Sequence, residues 1–201
     1  MPDRQTLEHL VSSLTLQQLD EQRFIGQNVH PEAERLYGGQ VLAQAMRAAI
    51  ATVPDDRSVH SQHAYFLRPG DPATPVEFEV ENARDGGTFS SRRVVASQRG
   101  SVILVSSLSF QIAEQGDELE TDLPVVVGPD GLETERERNI AEGTLWNEFQ
   151  IVDGLDLDVR IIEPVDWVNP VPREGKLHAW MKTRGPLADD TGLHSAMLVY
   201  M

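Results

Sequence analysis

The chain of 201 residues contains no cysteine, which excludes disulfides, a thiol nucleophile and any thiolate metal site. No apolar run is long enough to span a bilayer, and Met1-Pro2-Asp3-Arg4 lacks the basic-then-apolar start of a secretory signal. The expectation is a cytoplasmic protein with no membrane partner. Positive charge is scarce, with 17 Lys and Arg against 32 Asp and Glu and a formal charge of -15. A phosphate backbone attracts clustered cations, so no nucleic-acid partner is expected. The six histidines show no ligand spacing; His60 and His63 would point to opposite faces of a strand. No metal and no other cofactor is expected.

What the sequence does have is a helix pattern, Gly38 to Val53, that is apolar around most of its circumference. Val41, Leu42, Ala45, Met46, Ala48, Ala49, Ile50 and Val53 leave one narrow polar stripe of Gln40, Gln44 and Arg47. Such a helix belongs inside a core. Pro54 ends it, and Gly38-Gly39 open it where the first backbone N–H groups are free to meet a carbonyl or an anion.

Thr6 to Glu21 carries a helical apolar face, broken near Ser12-Ser13 or Thr15, and Arg23 to Val29 is a first strand. Strands then follow over Ser58–Leu67, Pro75–Arg84, Thr88–Gln98 and Ser101–Ile112. Val76, Phe78 and Val80 alternate with Glu77, Glu79 and Glu81, which gives that strand one wet face. Asp85-Gly86-Gly87 and Arg99-Gly100 read as hairpin turns. One strand, a buried helix and four antiparallel strands predict an α+β fold with the helix on the concave face of a sheet. From Glu114 to Glu142, ten acidic residues face only Arg136 and Arg138, so this segment carries a net -8 and reads as a solvated linker. Beyond it the pattern restarts. Strands over Val159–Val165 and Leu177–Arg184 precede a helix that Asp189 or Asp190 can cap, with Leu193, Ala196, Met197 and Tyr200 on one face.

Val59-His60-Ser61-Gln62-His63-Ala64-Tyr65-Phe66-Leu67-Arg68-Pro69-Gly70-Asp71 resembles the acyl-CoA thioesterase II family. The likeness extends in order through Tyr37-Gly38-Gly39-Gln40-Val41, Arg84-Asp85-Gly86, Phe89, Arg92-Arg93-Val94 and Ser109-Phe110-Gln111. Pro129-Asp130-Gly131-Leu132 and the stretch Val165 to Pro170 carry it over nearly the whole chain. The resemblance implies a double hotdog fold, each half a long helix wrapped by an antiparallel sheet. The expected division is a hotdog domain over 1–113, an acidic linker over 114–142 and an incomplete second hotdog domain over 143–201. It also implies hydrolysis of fatty acyl-CoA to fatty acid and coenzyme A by activated water, a role in fatty acid and lipid metabolism, and a homo-oligomer. Acyl-CoA is the expected partner. The family's catalytic Asp, Thr and Gln would lie beyond Met201, so no catalytic residue is assigned here. The alternative is a catalytically incomplete acyl-CoA-binding or structural hotdog protein. A hotdog dehydratase would need an Asp/His pair at the helix start, which Gly38-Gly39-Gln40 does not offer.

Four residues stand as substrate-binding candidates: Gly39, Gln40, His60 and Arg92. Gly39 and Gln40 at the helix start could donate to a thioester oxygen or serve packing. His60 could polarise a carbonyl or act as a base, or bond a neighbouring group within its strand. Arg92 is weighed with Arg68, Arg84, Arg93 and Arg99 for the phosphates of coenzyme A. Pairing with carboxylates of the same sheet accounts for them equally well. Phe66, Phe89, Val94 and Leu108 could line an acyl groove or fill the core. Asp189, Asp190 and Thr191 are read as helix-start residues, not as catalytic ones.

Overall fold

The computed structural model describes residues 7–117, 119–143, 157–164, 166, 169 and 171–201. The chain separates into two units: Glu8–Gly116 with Leu187–Met201, and Met1–Leu7 with Asp117–Pro186.

In the first unit an antiparallel sheet has the strand order β1-β2-β4-β5-β6-β3. Its strands are β1 (Gln17–Gln18), β2 (Arg23–Gly26), β3 (Arg57–Phe66), β4 (Val76–Asp85), β5 (Phe89–Gln98) and β6 (Ser101–Ile112). Alternation sorts the two faces as the sequence predicts. Val76, Phe78 and Val80 are buried, and the intervening glutamates are exposed. On β5, Ser90, Arg92, Val94, Ala96 and Gln98 turn inward. The β5–β6 turn places both central residues in the left-handed region, Arg99 at φ 49 and Gly100 at φ 76. That twist suits a two-residue hairpin.

Helix α2 (Gly38–Ile50) lies on the inner face and buries Val41, Ala43, Ala45, Met46, Ala48 and Ala49. Of its polar stripe, Arg47 stays partly exposed while the two glutamines turn inward. Gln40 and Gln44 are buried because each amide closes backbone groups that the curled sheet and the preceding turns leave open. Gln40 Oε1 accepts from Val29 N at 3.0 Å, and its Nε2 donates to Asn28 at 2.9 Å. Gln44 Nε2 donates to the carbonyls of Ser13 and Gln27 at 2.9 and 2.8 Å. Helix α1 (Leu7–Ser13) stops short of Glu21, and Gln17–Gln18 pairs with β2 as a strand.

In the other unit, β7 (Leu157–Ile161) and β8 (Ala179–Thr183) form an antiparallel pair. The acidic stretch is not wholly a linker. Thr134 and Glu137 form a capping box that starts α3 (Glu135–Glu142), and Gly143 closes it in the left-handed conformation. Part of the predicted strand end and of the Val165–Pro170 match lies outside the described residues.

Helix α4 (Thr191–Tyr200) belongs with the first unit and packs beside α2. Leu193, Ala196, Met197 and Tyr200, the face read from the sequence, are buried, while Leu198 remains 74% exposed. The N-cap is Asp190, whose carboxylate accepts from Leu193 N at 2.9 Å and pairs with Arg47 of α2 at 3.2 Å. At the other end Tyr37 donates its hydroxyl proton to the Tyr200 carbonyl at 2.8 Å, and the two rings meet edge to face at 5.2 Å. The C-terminus of α4 thus faces the N-terminus of α2, which opposes their dipoles favourably.

Candidate functional site

Helix α2 begins at Gly38 without a side-chain cap, so its first N–H groups have no intrahelical partner. Leu36, Gly38, Val41, Phe66, Arg68 and Ile103 are among the residues lining a cavity of about 360 Å³ at this end of the helix. A second cavity, about 400 Å³, runs along the same helix between α2, β3 and α4, and its walls include Leu42, Met46, Val59, Ala64, Leu198 and Val199. Its lining is mainly aliphatic. Val59 and Ser195 continue into a smaller recess of about 170 Å³ bounded by Ile50, Val53 and Asp190. The result is a line of hollows down one flank of α2, with backbone donors at its start and hydrocarbon in its middle.

The four sequence-predicted residues do not converge on one point. Gly39 carries α4: a Cβ there would run into the Tyr200 carbonyl oxygen and the Tyr37 ring. Its bare backbone is what lets the two helices approach. Gln40 faces away from the cavities, its amide committed to Asn28 and Val29.

His60 sits where the β3–β6 register slips between Val59 and Ser61. That bulge resets the alternation. The imidazole reaches Ser109 Oγ at 2.8 Å and stands edge-on to Phe89 at 5.9 Å. Ser109 and Ser107 alternate on the outer face, and Ser107 pairs with His63. His60 and His63 therefore share a face, which corrects the strict alternation expected from the sequence. The His60 position also contributes to the wall of the larger cavity.

Arg92 is buried, and its guanidinium is fully used. Nε and Nη2 donate to the hydroxyl and carbonyl of Thr52, Nη2 also to Asp85 at 2.9 Å, and Nη1 to the carbonyls of Arg84 and Ser91. A guanidinium has five N–H donors, and none is left here for a phosphate. Arg92 braces the end of α2 against β4 and β5. The hydrogen bonds from Ser90, first, and from Arg92 hold the Asp85 carboxyl below its ordinary range. Arg93, the next residue, is exposed and pairs with Glu81 at 3.4 Å, as opposite faces of a strand require.

Of the suggested groove residues, Val94 and Leu108 are core, Phe89 flanks His60, and Phe66 borders the cavities. Leu42 and Met46, read only as core-helix residues, line the larger cavity. Their spacing of four along α2 puts them on one stripe, but a helix apolar nearly all round hides which stripe meets a void. Among the described residues no group of three or more His, Asp or Glu could hold a metal ion, and no helix is long and apolar enough to cross a membrane.

A family model described as the acyl-CoA thioesterase N-terminal domain matches residues 27–111. Acyl-coenzyme A thioesterase 8 of Homo sapiens is 33% identical over 199 residues, 94% of this chain and 62% of that protein. Acyl-CoA thioesterase 2 of Haemophilus influenzae is 31% identical over 199 residues, 96% of this chain and 69% of its own length. The acyl-CoA thioesterase II TesB2 structure from Mycobacterium marinum superposes with a TM-score of 0.71 at 34% identity, covering 97% of this chain and 65% of that one. The tesB protein of Mycobacterium avium subs paratuberculosis gives 0.76 at 29% identity, over 98% and 68%. The chain thus spans about two thirds of the length of these relatives. With the α2-on-sheet architecture and the motif series from Tyr37 to Gln111 in place, the likeness over nearly all of its length makes this chain a member of the acyl-CoA thioesterase II family, with that family's hotdog fold.

Proposed function

We propose that the protein is an acyl-CoA thioesterase, hydrolysing fatty acyl-CoA to free fatty acid and coenzyme A with an activated water and no cofactor. The observation that carries this reading is the line of hollows along α2, apolar in its middle and opening at the uncapped helix start. A thioester is an alkyl chain joined to a polarisable carbonyl. The aliphatic walls suit the first, and the free N–H groups at Gly38 and Gly39 suit the developing charge on the second. The relatives named as thioesterases support turnover over binding alone.

His60 contributes to the wall of the tail pocket, and Gly39 acts by letting α4 form the pocket's far wall. Gln40 fixes the turn that leads into α2. The attacking water's Asp, Thr and Gln partners are assigned to no residue of this chain. The setting is fatty acid metabolism in the cytoplasm, and the assembly is a homo-oligomer. Support for self-association comes from β3, an edge strand whose stretch Ser58–Phe66 carries no Lys, Glu, Asp or Pro to blunt it.

Thiol release from butyryl-, octanoyl- and palmitoyl-CoA tests the activity, and calorimetry with thioether analogues tests binding. Saturable binding is expected of the 201-residue chain, and thiol release of a protein that also carries the family's Asp, Thr and Gln. Absence of both for every chain length would overturn the reading, and binding without release by that protein would leave only the acyl-CoA-binding alternative.

A further inference from the structure

Phe66 is the one residue common to the linings of the two larger cavities. It ends β3, and by strand alternation it points the same way as Gln62 and Ala64, which line the larger cavity behind it. In front of it lies the cavity at the start of α2. The ring rests on the bare backbone of Gly38, where a Cβ would stand only 3.0 Å from its Cζ. It is nevertheless 55% exposed. An aromatic ring half in water, seated on a glycine and separating two hollows of about 360 and 400 Å³, has little packing reason to be there.

We propose that Phe66 is the gate that sets the acyl-chain preference of this site. The inference rests on the acyl-CoA reading above. A chain whose thioester lies at the α2 N-terminus occupies the first cavity without passing the ring if it is short. A longer chain reaches Leu42 and Met46 only past Phe66. The ring's position over Gly38 allows it to swing on two side-chain torsions without moving the β3 backbone. Specificity then depends on the cost of displacing it, set against the apolar surface that each further methylene buries.

The test is calorimetry of the 201-residue chain with non-hydrolysable thioether analogues of butyryl-, octanoyl- and palmitoyl-CoA. Phe66→Ala joins the cavities and is expected to raise the ratio of palmitoyl to butyryl affinity roughly tenfold. Phe66→Trp thickens the barrier and is expected to lower the same ratio. The exposure of the ring makes both variants compatible with folding, and circular dichroism checks this. Should one variant not fold, the other alone still gives a signed outcome. A ratio unchanged or moved the opposite way, with the unaltered chain still binding, would overturn the gate and leave the acyl-CoA reading standing. Failure of the unaltered chain to bind any analogue would overturn that reading itself.

Discussion

The carbonyl oxygen of Tyr200 lies against the Cα of Gly39 so closely that no side chain fits between them. The same oxygen accepts the Tyr37 hydroxyl proton at 2.8 Å, so one atom at the end of α4 fixes its distance from α2. Gly38, one residue earlier, faces only the far edge of the Phe66 ring, which can give way. Gly38→Ala is expected to change stability by less than about 1 kcal/mol. Gly39→Ala must push α4 off α2 and expose Met197 and Tyr200, at a cost of about 2–4 kcal/mol. Chemical denaturation separates the two, and equal effects would show that α4 does not depend on this contact.

Arg92 gives a second contrast. Removing a buried guanidinium strands the Thr52 and Arg84 carbonyls and leaves the partly exposed Asp85 without its ion-pair partner. Arg92→Met is expected to destabilise by about 3 kcal/mol, and Arg92→Lys by nearly as much, because an ammonium cannot reproduce five planar donors. Acyl-CoA affinity of the folded fraction should be unchanged in Arg92→Lys. A selective loss of affinity without loss of stability would return Arg92 to the list of phosphate ligands.

The strand alternation, the hairpins and the buried helix were legible because each rests on local periodicity, as Val76, Phe78 and Val80 show against Glu77, Glu79 and Glu81. An Asp cap at 189 or 190 was legible for the same reason, and the structure settles it on Asp190, its oxygen three residues from the N–H it accepts. The burial of Gln40 and Gln44 was not. Their partners Asn28, Val29, Ser13 and Gln27 are distant in sequence, and periodicity counts any amide as a wet position. His60 escaped because a bulge, invisible in the residue types, resets the faces after Val59. Phe66 looked like Val94 and Leu108 in sequence. Only the packed fold distinguishes a phenyl ring in the core from one between two hollows.

Acid should loosen α4 from its N-terminal end. The backbone N–H of Leu193, chiefly, and then the Arg47 guanidinium hold the Asp190 carboxyl below its ordinary value. A carboxyl lowered in the folded state contributes stability that is fully present above its unfolded pKa, about 3.9, and lost as pH falls through the lower folded value. Amide exchange at Leu193 and His194 is therefore expected to quicken below about pH 4 beyond the intrinsic pH effect. Asp190→Asn keeps a competent cap but no titrating charge, so its protection should be flat over that range. Asp190→Ala should cost about 1 kcal/mol at neutral pH. An acid response that persists in Asp190→Asn would place the titrating group elsewhere.

Gly26 and Gln44 should prove energetically coupled. A Cβ at position 26 would fall 2.7 Å from the Gln44 amide carbon, and that amide is pinned by its bonds to the Ser13 and Gln27 carbonyls. Gly26→Ala alone therefore has to displace a buried, bonded side chain, and about 2–3 kcal/mol is expected. Gln44→Ala alone leaves those carbonyls unmet and a void in its place, again about 2–3 kcal/mol. In the double variant the new methyl group occupies space that Gln44 has vacated, so the second substitution adds little. The double-mutant cycle should return a coupling of at least about 1 kcal/mol, with the double variant more stable than the two single losses predict. Strict additivity in urea denaturation would mean that the Gln44 side chain has another place to go and that its bonds to Ser13 and Gln27 do not fix it.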